Sequence, residues 1–306
     1  MFLTIFFQMF SFTSNIGIFG KTLILIFLTI ACFLFGYFLA AIIGIPLFGI
    51  NIFSQQTAPT DNIAYLKFLQ SILSIFMFII PTIVYWLIFG KNISKDLKLN
   101  VIPKYKTILL SLLVLIVSLP LINFLSNINS QMDLPDCLSQ LETWMKQTEE
   151  ANAELTNKFL NVDGLNNLIV NILIMAMIPA IGEEFFFRGC MQNIFSSKNS
   201  NIFAVWATAF FFSAFHLQFY GFLPRFVLGA FFGWLTVWSK SLWLPIISHF
   251  FNNFCAIIGV YLINHNNISV SIDTVGSNST WPAALASLVV CIFLVIKIKK
   301  IETKNA

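Results

Sequence analysis

Gly182-Glu183-Glu184-Phe185-Phe186-Phe187-Arg188-Gly189 follows an apolar run, Leu168 to Ile181, in which Asn171 is the one polar side chain. Two adjacent carboxylates and a guanidinium therefore sit at the end of what reads as a membrane-spanning helix. Each ionisable group there costs roughly 2.5–3.5 kcal/mol on insertion scales, so such groups are functional candidates by default. Two further ionisable side chains, His216 and His249, lie deep in apolar runs without serving as basic end-anchors.

The rest of the chain supports a membrane setting. Of its 306 residues, 58% are hydrophobic and 10% charged; a soluble domain carries about 25% charged residues. Several apolar runs exceed the ~18 residues that cross a bilayer. The expected fold is an all-α polytopic bundle of about eight spans. They are Thr22–Ile50, Ile63–Phe89, Thr107–Leu125, Leu165–Arg188, Asn201–Tyr220, Phe222–Ser239, Leu242–Asn264 and Trp281–Ile296. Short alternating strands, the mark of an outer-membrane barrel, are missing from this pattern. The stretch 1–20 lacks a basic start and a small-residue cleavage site, so it does not read as a removable signal peptide.

Lysines orient the bundle. Lys91, Lys95, Lys98, Lys104 and Lys106 crowd one loop against Asp96, and Lys297, Lys299, Lys300 and Lys304 crowd the tail. The loops 51–62 and 265–280 hold no Lys or Arg. The positive-inside rule then places both termini in the cytoplasm. Four segments follow: spans one to three (1–125), an extracytoplasmic acidic loop (126–164), a core of spans four to seven (165–264), and the last span with its basic tail (281–306). In the acidic loop Leu138, Leu141, Met145, Leu155 and Phe159 recur at near-helical spacing, which predicts an amphipathic helix. The five cysteines have no metal-ligand spacing.

Helical geometry sorts the candidate site. Neighbouring residues are 100° apart, so Glu183 and Glu184 cannot aim at one point. Glu184 and Arg188 are i,i+4 and can pair, which leaves Glu183 free for another neighbour. His249 and Asn253 share a face of the seventh span, as do Phe212 and His216 in the fifth. Depths agree for Glu183 and for His249, about 7 residues or roughly 10 Å into its span. His216 lies about 15 residues in, roughly 22 Å, which is too deep unless its helix starts later or tilts. A carboxylate with a histidine can deprotonate water, and a second histidine with an amide can stabilise an oxyanion. Glu183, His216 and His249 could equally hold a metal such as Zn²⁺. Either chemistry ends in amide hydrolysis. A different class also fits a buried Glu/His cluster: a transporter or non-catalytic binding protein with a proton relay or ligand site. No inverted repeat supports a transporter.

Glu183-Glu184-x-x-x-Arg188, Phe212-x-x-x-His216 and His249-x-x-x-Asn253 resemble, in order and spacing, the three motifs of the CAAX-protease and bacteriocin-processing (CPBP, Abi) family of intramembrane endopeptidases. The resemblance covers about Leu165–Asn264. It implies Glu183 as general base, His216 as its partner on the water, and His249 with Asn253 as oxyanion stabilisers or metal ligands. Glu184 and Arg188 are implied as support. Both metal-dependent and metal-free versions stay open, with Zn²⁺ as the cofactor in the first. The absence of His-Glu-x-x-His and of Gly-x-Ser-x-Gly speaks against the zincin and serine-hydrolase signatures. The expected partners are the lipid bilayer and a hydrophobic or membrane-embedded peptide, not nucleic acid. The Ile, Asn, Lys and Phe bias suggests a bacterial inner membrane.

Overall fold

The computed structural model describes residues 16–50, 62–161, 164–266, 275 and 280–304. The expectations for residues 1–15, for loop 51–61 and for most of loop 265–280 lie outside the described residues. Those residues form an all-helical bundle. The long helices are α1 (Ile18–Leu47), α2 (Ile63–Phe89), α7 (Leu165–Ser196), α9 (Phe222–Ser239), α10 (Trp243–Asn266) and α11 (Trp281–Thr303). Between them lie α3 (Ile93–Asp96), α4 (Tyr105–Val117), α5 (Leu119–Ser130), α6 (Ser139–Leu160) and α8 (Asn201–Ala214).

By length and composition, six helices of the described residues can cross a membrane, or seven if α4 and α5 form one span. Eight were expected, and two details account for the difference. The third span bends by 47° between α4 and α5. Pro120, in the first turn of α5, has no N–H to continue the helical ladder. The fifth span is α8, with 14 residues. At 1.5 Å per residue it reaches about 21 Å, short of a ~30 Å hydrocarbon core.

In lipid, apolar surface gains little by leaving the surrounding tails, so close backbone approach and interhelical hydrogen bonds hold helices together. Glycines mark those approaches. A Cβ on Gly36 of α1 would lie 2.5 Å from the Phe76 Cβ of α2. A Cβ on Gly229 of α9 would lie 3.0 Å from the Phe212 ring and 3.3 Å from the Ala209 backbone of α8. Polar bonds fix α11 against α4: the Ser287 hydroxyl donates to the Val117 carbonyl at 2.6 Å, and the Thr107 hydroxyl donates to the Glu302 carboxylate. Lys104 Nζ lies 3.5 Å from the same carboxylate.

The acidic stretch holds α6, and Asn171 Nδ2 of α7 donates to the Phe159 carbonyl near its end at 2.7 Å. At the lysine-rich end of the bundle, the tight turn between α9 and α10 is bonded to the loop after α3. There Ser241 Oγ donates to the Val101 carbonyl at 2.5 Å and Trp243 Nε1 to the Leu99 carbonyl at 2.8 Å.

Two helical glycines should respond oppositely to alanine. Gly36→Ala forces a contact that real Cβ atoms do not make, and overpacking of this kind costs about 1–3 kcal/mol. Gly259 of α10 has nothing within 4 Å of its added Cβ, so Gly259→Ala should gain up to about 1 kcal/mol of helix propensity. Thermal unfolding in detergent should show a lower Tm for the first and an equal or higher Tm for the second. An equal drop in both would contradict the packing.

Candidate functional site

Two irregular turns shape α7 at the motif. A π-helical segment, Ile172–Met177, precedes Pro179, and a second, Phe185–Met191, contains Arg188. Pro179 has no N–H to give the Met175 carbonyl four residues back. The side chain of Asn253 on α10 approaches that carbonyl instead, with Nδ2 at 3.5 Å. Such π segments recur at functional sites. Gly189 lets a loop residue cover the motif, since a Cβ there would lie 2.5 Å from Leu97 Cδ2. Trp86 Nε1 of α2 donates to the Gly189 carbonyl at 3.2 Å.

Glu184 and Arg188 pair as the i,i+4 spacing requires. Arg188 Nη1 donates to Glu184 Oε1 at 2.7 Å, and both side chains are fully buried. Arg188 Nη2 donates to the Gly229 carbonyl of α9 at 2.9 Å. The guanidinium carbon lies 4.5 Å from the Phe212 ring centroid and 5.5 Å from that of Phe232, a cation–π setting. His249 Nδ1 also lies on Glu184 Oε1, at 2.9 Å. Its ring stacks on Phe232 with centroids 5.2 Å apart. One carboxylate thus ties α7 to α10, and its arginine ties α7 to α9.

Glu183 points the other way. Its Oε2 lies 3.8 Å from His249 Nε2 and 3.9 Å from His216 Nε2, beyond direct hydrogen-bond range. That oxygen is buried without a hydrogen-bond partner. Both histidines have an assigned orientation. His216 Nδ1 lies 2.7 Å from the Phe212 carbonyl, and a carbonyl only accepts, so Nδ1 carries a proton. Glu184 plays the same part for His249 Nδ1. In the neutral form both rings therefore present a bare Nε2 toward Glu183.

His216 corrects the depth mismatch. It lies in the turn just past the end of α8, not within a spanning helix. α7 continues to Ser196, eight residues past Arg188, where the span was expected to end. Glu183 is 13 residues from that end and His216 is 15 from the start of α8, about 20 Å and 22 Å at 1.5 Å per residue. The two depths agree.

These groups line a cavity of about 530 Å³. Glu183, His216, His249 and Asn253 are all on its wall, whereas the buried Glu184 and Arg188 stand behind it. Thr156 and Leu160 of α6 contribute to the same wall. Two further residues there carried weak sequence signals. Asn252, which as the neighbour of Asn253 reads as packing, donates from Nδ2 to Asn253 Oδ1 at 3.3 Å. Arg225, which reads as an interfacial anchor at a helix end, lines the cavity and donates from Nη1 to the Gln218 carbonyl at 3.1 Å.

The donor types suit zinc. Their spacing does not, because two ligands of one tetrahedral zinc with ~2.05 Å bonds lie about 3.3 Å apart, less than either gap to Glu183. Among the described residues no group of three or more His, Cys, Asp or Glu side chains is arranged to hold a metal ion. The fit fails in this arrangement.

Residues 165–255 match the family model described as type II CAAX prenyl endopeptidase Rce1-like. The match spans α7 to the middle of α10 and all three motifs, and bears out the family resemblance of the motifs. No curated protein and no solved structure matches the chain.

The Glu184–Arg188 pair and the neighbouring Glu183 should differ in their effect on folding. Arg188→Met strips a buried carboxylate of its counter-charge, a loss of about 3–5 kcal/mol. Glu183→Gln removes an unpartnered carboxylate oxygen and should change stability by less than about 1 kcal/mol. Unfolding of the detergent-solubilised protein measures both, and equal losses would count against this division of labour.

Proposed function

We propose, for a chain whose residues 165–255 match the Rce1-like CAAX endopeptidase family model, that it is an intramembrane endopeptidase in which Glu183 activates the hydrolytic water. The observation that carries this reading is the approach of both histidine Nε2 atoms to the unpartnered Glu183 Oε2. A water between Glu183 Oε2 and His216 Nε2 would donate one hydrogen bond to each, and its lone pair would face a peptide carbonyl in the cavity. Glu183 takes the proton as the new C–O bond forms. It then returns the proton to the amide nitrogen as the C–N bond breaks, so one proton circulates and the products are an acid and an amine.

The oxyanion needs donors. Asn253 Nδ2 is weakly engaged, at 3.5 Å from its carbonyl, and is free to turn to a stronger acceptor. His249 donates when it carries a second proton on Nε2, its Nδ1–H staying on Glu184. Glu184 and Arg188 position His249 and hold three helices in register; they do not touch substrate. The cavity wall combines aromatic and aliphatic side chains with this polar cluster, which suits a hydrophobic peptide segment. A binding or transport role would use the same buried groups, but it gives no reason for a weakly engaged amide on the same cavity wall.

Cleavage of a quenched-fluorescent hydrophobic peptide library by the purified protein tests the mechanism. Glu183→Gln and His216→Ala should each lower kcat/KM by roughly 10²–10⁴, and Asn253→Ala should lower kcat by about 10²–10³. A strong zinc chelator should leave the wild-type rate unchanged. Loss of activity on chelation that zinc restores would refute the metal-free mechanism, and equal rates in all variants would refute the site.

A further inference from the structure

A second polar pocket, about 490 Å³, opens at the lysine-rich end of the bundle. It lies between the last turns of α7, the start of α8, the turn after α9 and the loop after α3. Lys95, Lys98 and Lys240 line it, with Asn193 and, at its inner wall, Arg188 and Gln192. None of the three lysines has an ion pair among the described residues. Asp96, the acidic residue of the loop, is turned away, and its Oδ2 accepts the backbone N–H groups of Lys91 and Asn92 at 2.9 Å each.

The inner wall is incomplete. Arg188 is 2% exposed and Gln192 4%, yet Arg188 Nε and Gln192 Oε1 have no hydrogen-bond partner. Buried polar atoms without partners are rare and call for an explanation. Here one is a cationic donor and the other an acceptor. The rim shows strain as well. Lys98 and Lys240 adopt left-handed backbone conformations, φ 54° and 53°, which lysine seldom takes. The Leu242 N–H holds the Lys98 carbonyl at 3.3 Å. Burial pushes the Lys98 ammonium below its usual range, and the charge of Lys240 adds to the effect.

We propose that this pocket binds a phosphate ester, the chemistry of an anionic glycerophospholipid headgroup. The phosphate oxygens would accept from Lys98 and Lys240 at the rim. Basic pockets between membrane helices bind anionic headgroups by this logic, and a soluble phosphate ester offers the same groups. The site is separate from the cavity lined by Glu183, so its occupancy is measured without peptide cleavage.

The test is native mass spectrometry of the full chain in mixed micelles of phosphatidylglycerol and phosphatidylcholine. The wild type should retain phosphatidylglycerol in preference. Lys98→Asn/Lys240→Asn tolerates the left-handed backbone, should keep the lipid-free Tm, and should bind phosphatidylglycerol roughly 30-fold more weakly, as expected for two basic groups. Lys299→Gln/Lys300→Gln makes the same charge change on exposed α11 positions and should bind as the wild type does. Displacement by millimolar glycerol phosphate would support the site with a soluble occupant; retention against it would support the lipid. Equal retention by the pocket variant, equal loss in the α11 variant, or no preference in the wild type would overturn the proposal.

Discussion

The bundle depends on one buried ion pair. Arg188 and Glu184 lie on the same face of α7, fully enclosed, at 2.7 Å. Burying two charges is costly, and such a pair is worth keeping only if its remaining valences are also met. They largely are. Glu184 Oε1 serves His249 on α10, and Arg188 Nη2 serves Gly229 on α9. Two phenylalanine faces cover the guanidinium. Four helices, counting α8 through Phe212, are thereby fixed around one charge centre, and the reactive side chains inherit their positions from it.

The irregular turns in α7 follow from the same requirement. An ideal helix would give each backbone carbonyl its N–H four residues on. Pro179 breaks that rule beside the cavity, and Asn253 approaches the carbonyl concerned. A proline fault in lipid is tolerated when a neighbouring side chain re-satisfies the backbone. The repair at 3.5 Å is weak, which leaves an amide donor on the wall of the cavity that Glu183 also lines. The second π segment contains Arg188, which bonds across to α9, and it begins directly after Glu184, which holds His249 of α10.

Much of this was legible in the chain because membrane insertion penalises charge. Glu183, Glu184, Arg188 and His249 stood out against apolar surroundings, and i,i+4 spacing assigned the Glu184–Arg188 pair. What misled was the use of the first cation as the end of a span. Arg188 is neutralised from within the bundle, so α7 runs on to Ser196 and the depth of Glu183 shifts accordingly. His216 then meets it from a turn beyond a helix too short to span. No periodicity marks such a turn. Arg225 and Asn252 were hidden for a related reason: a helix-end arginine and an asparagine beside another asparagine look alike whether they face lipid, packing or a cavity. The hydrogen bond of His249 to Glu184 and its approach to Glu183 depend on the relative rotation of α7 and α10, which spacing within either helix does not contain.

Arg188 also divides the molecule into two compartments. Its Nη1 donates to Glu184, and the residue also borders the polar pocket with Lys98 and Lys240. Three positive groups around that pocket raise the potential on the side of the guanidinium away from Glu184. An anion there would screen the lysines from one another.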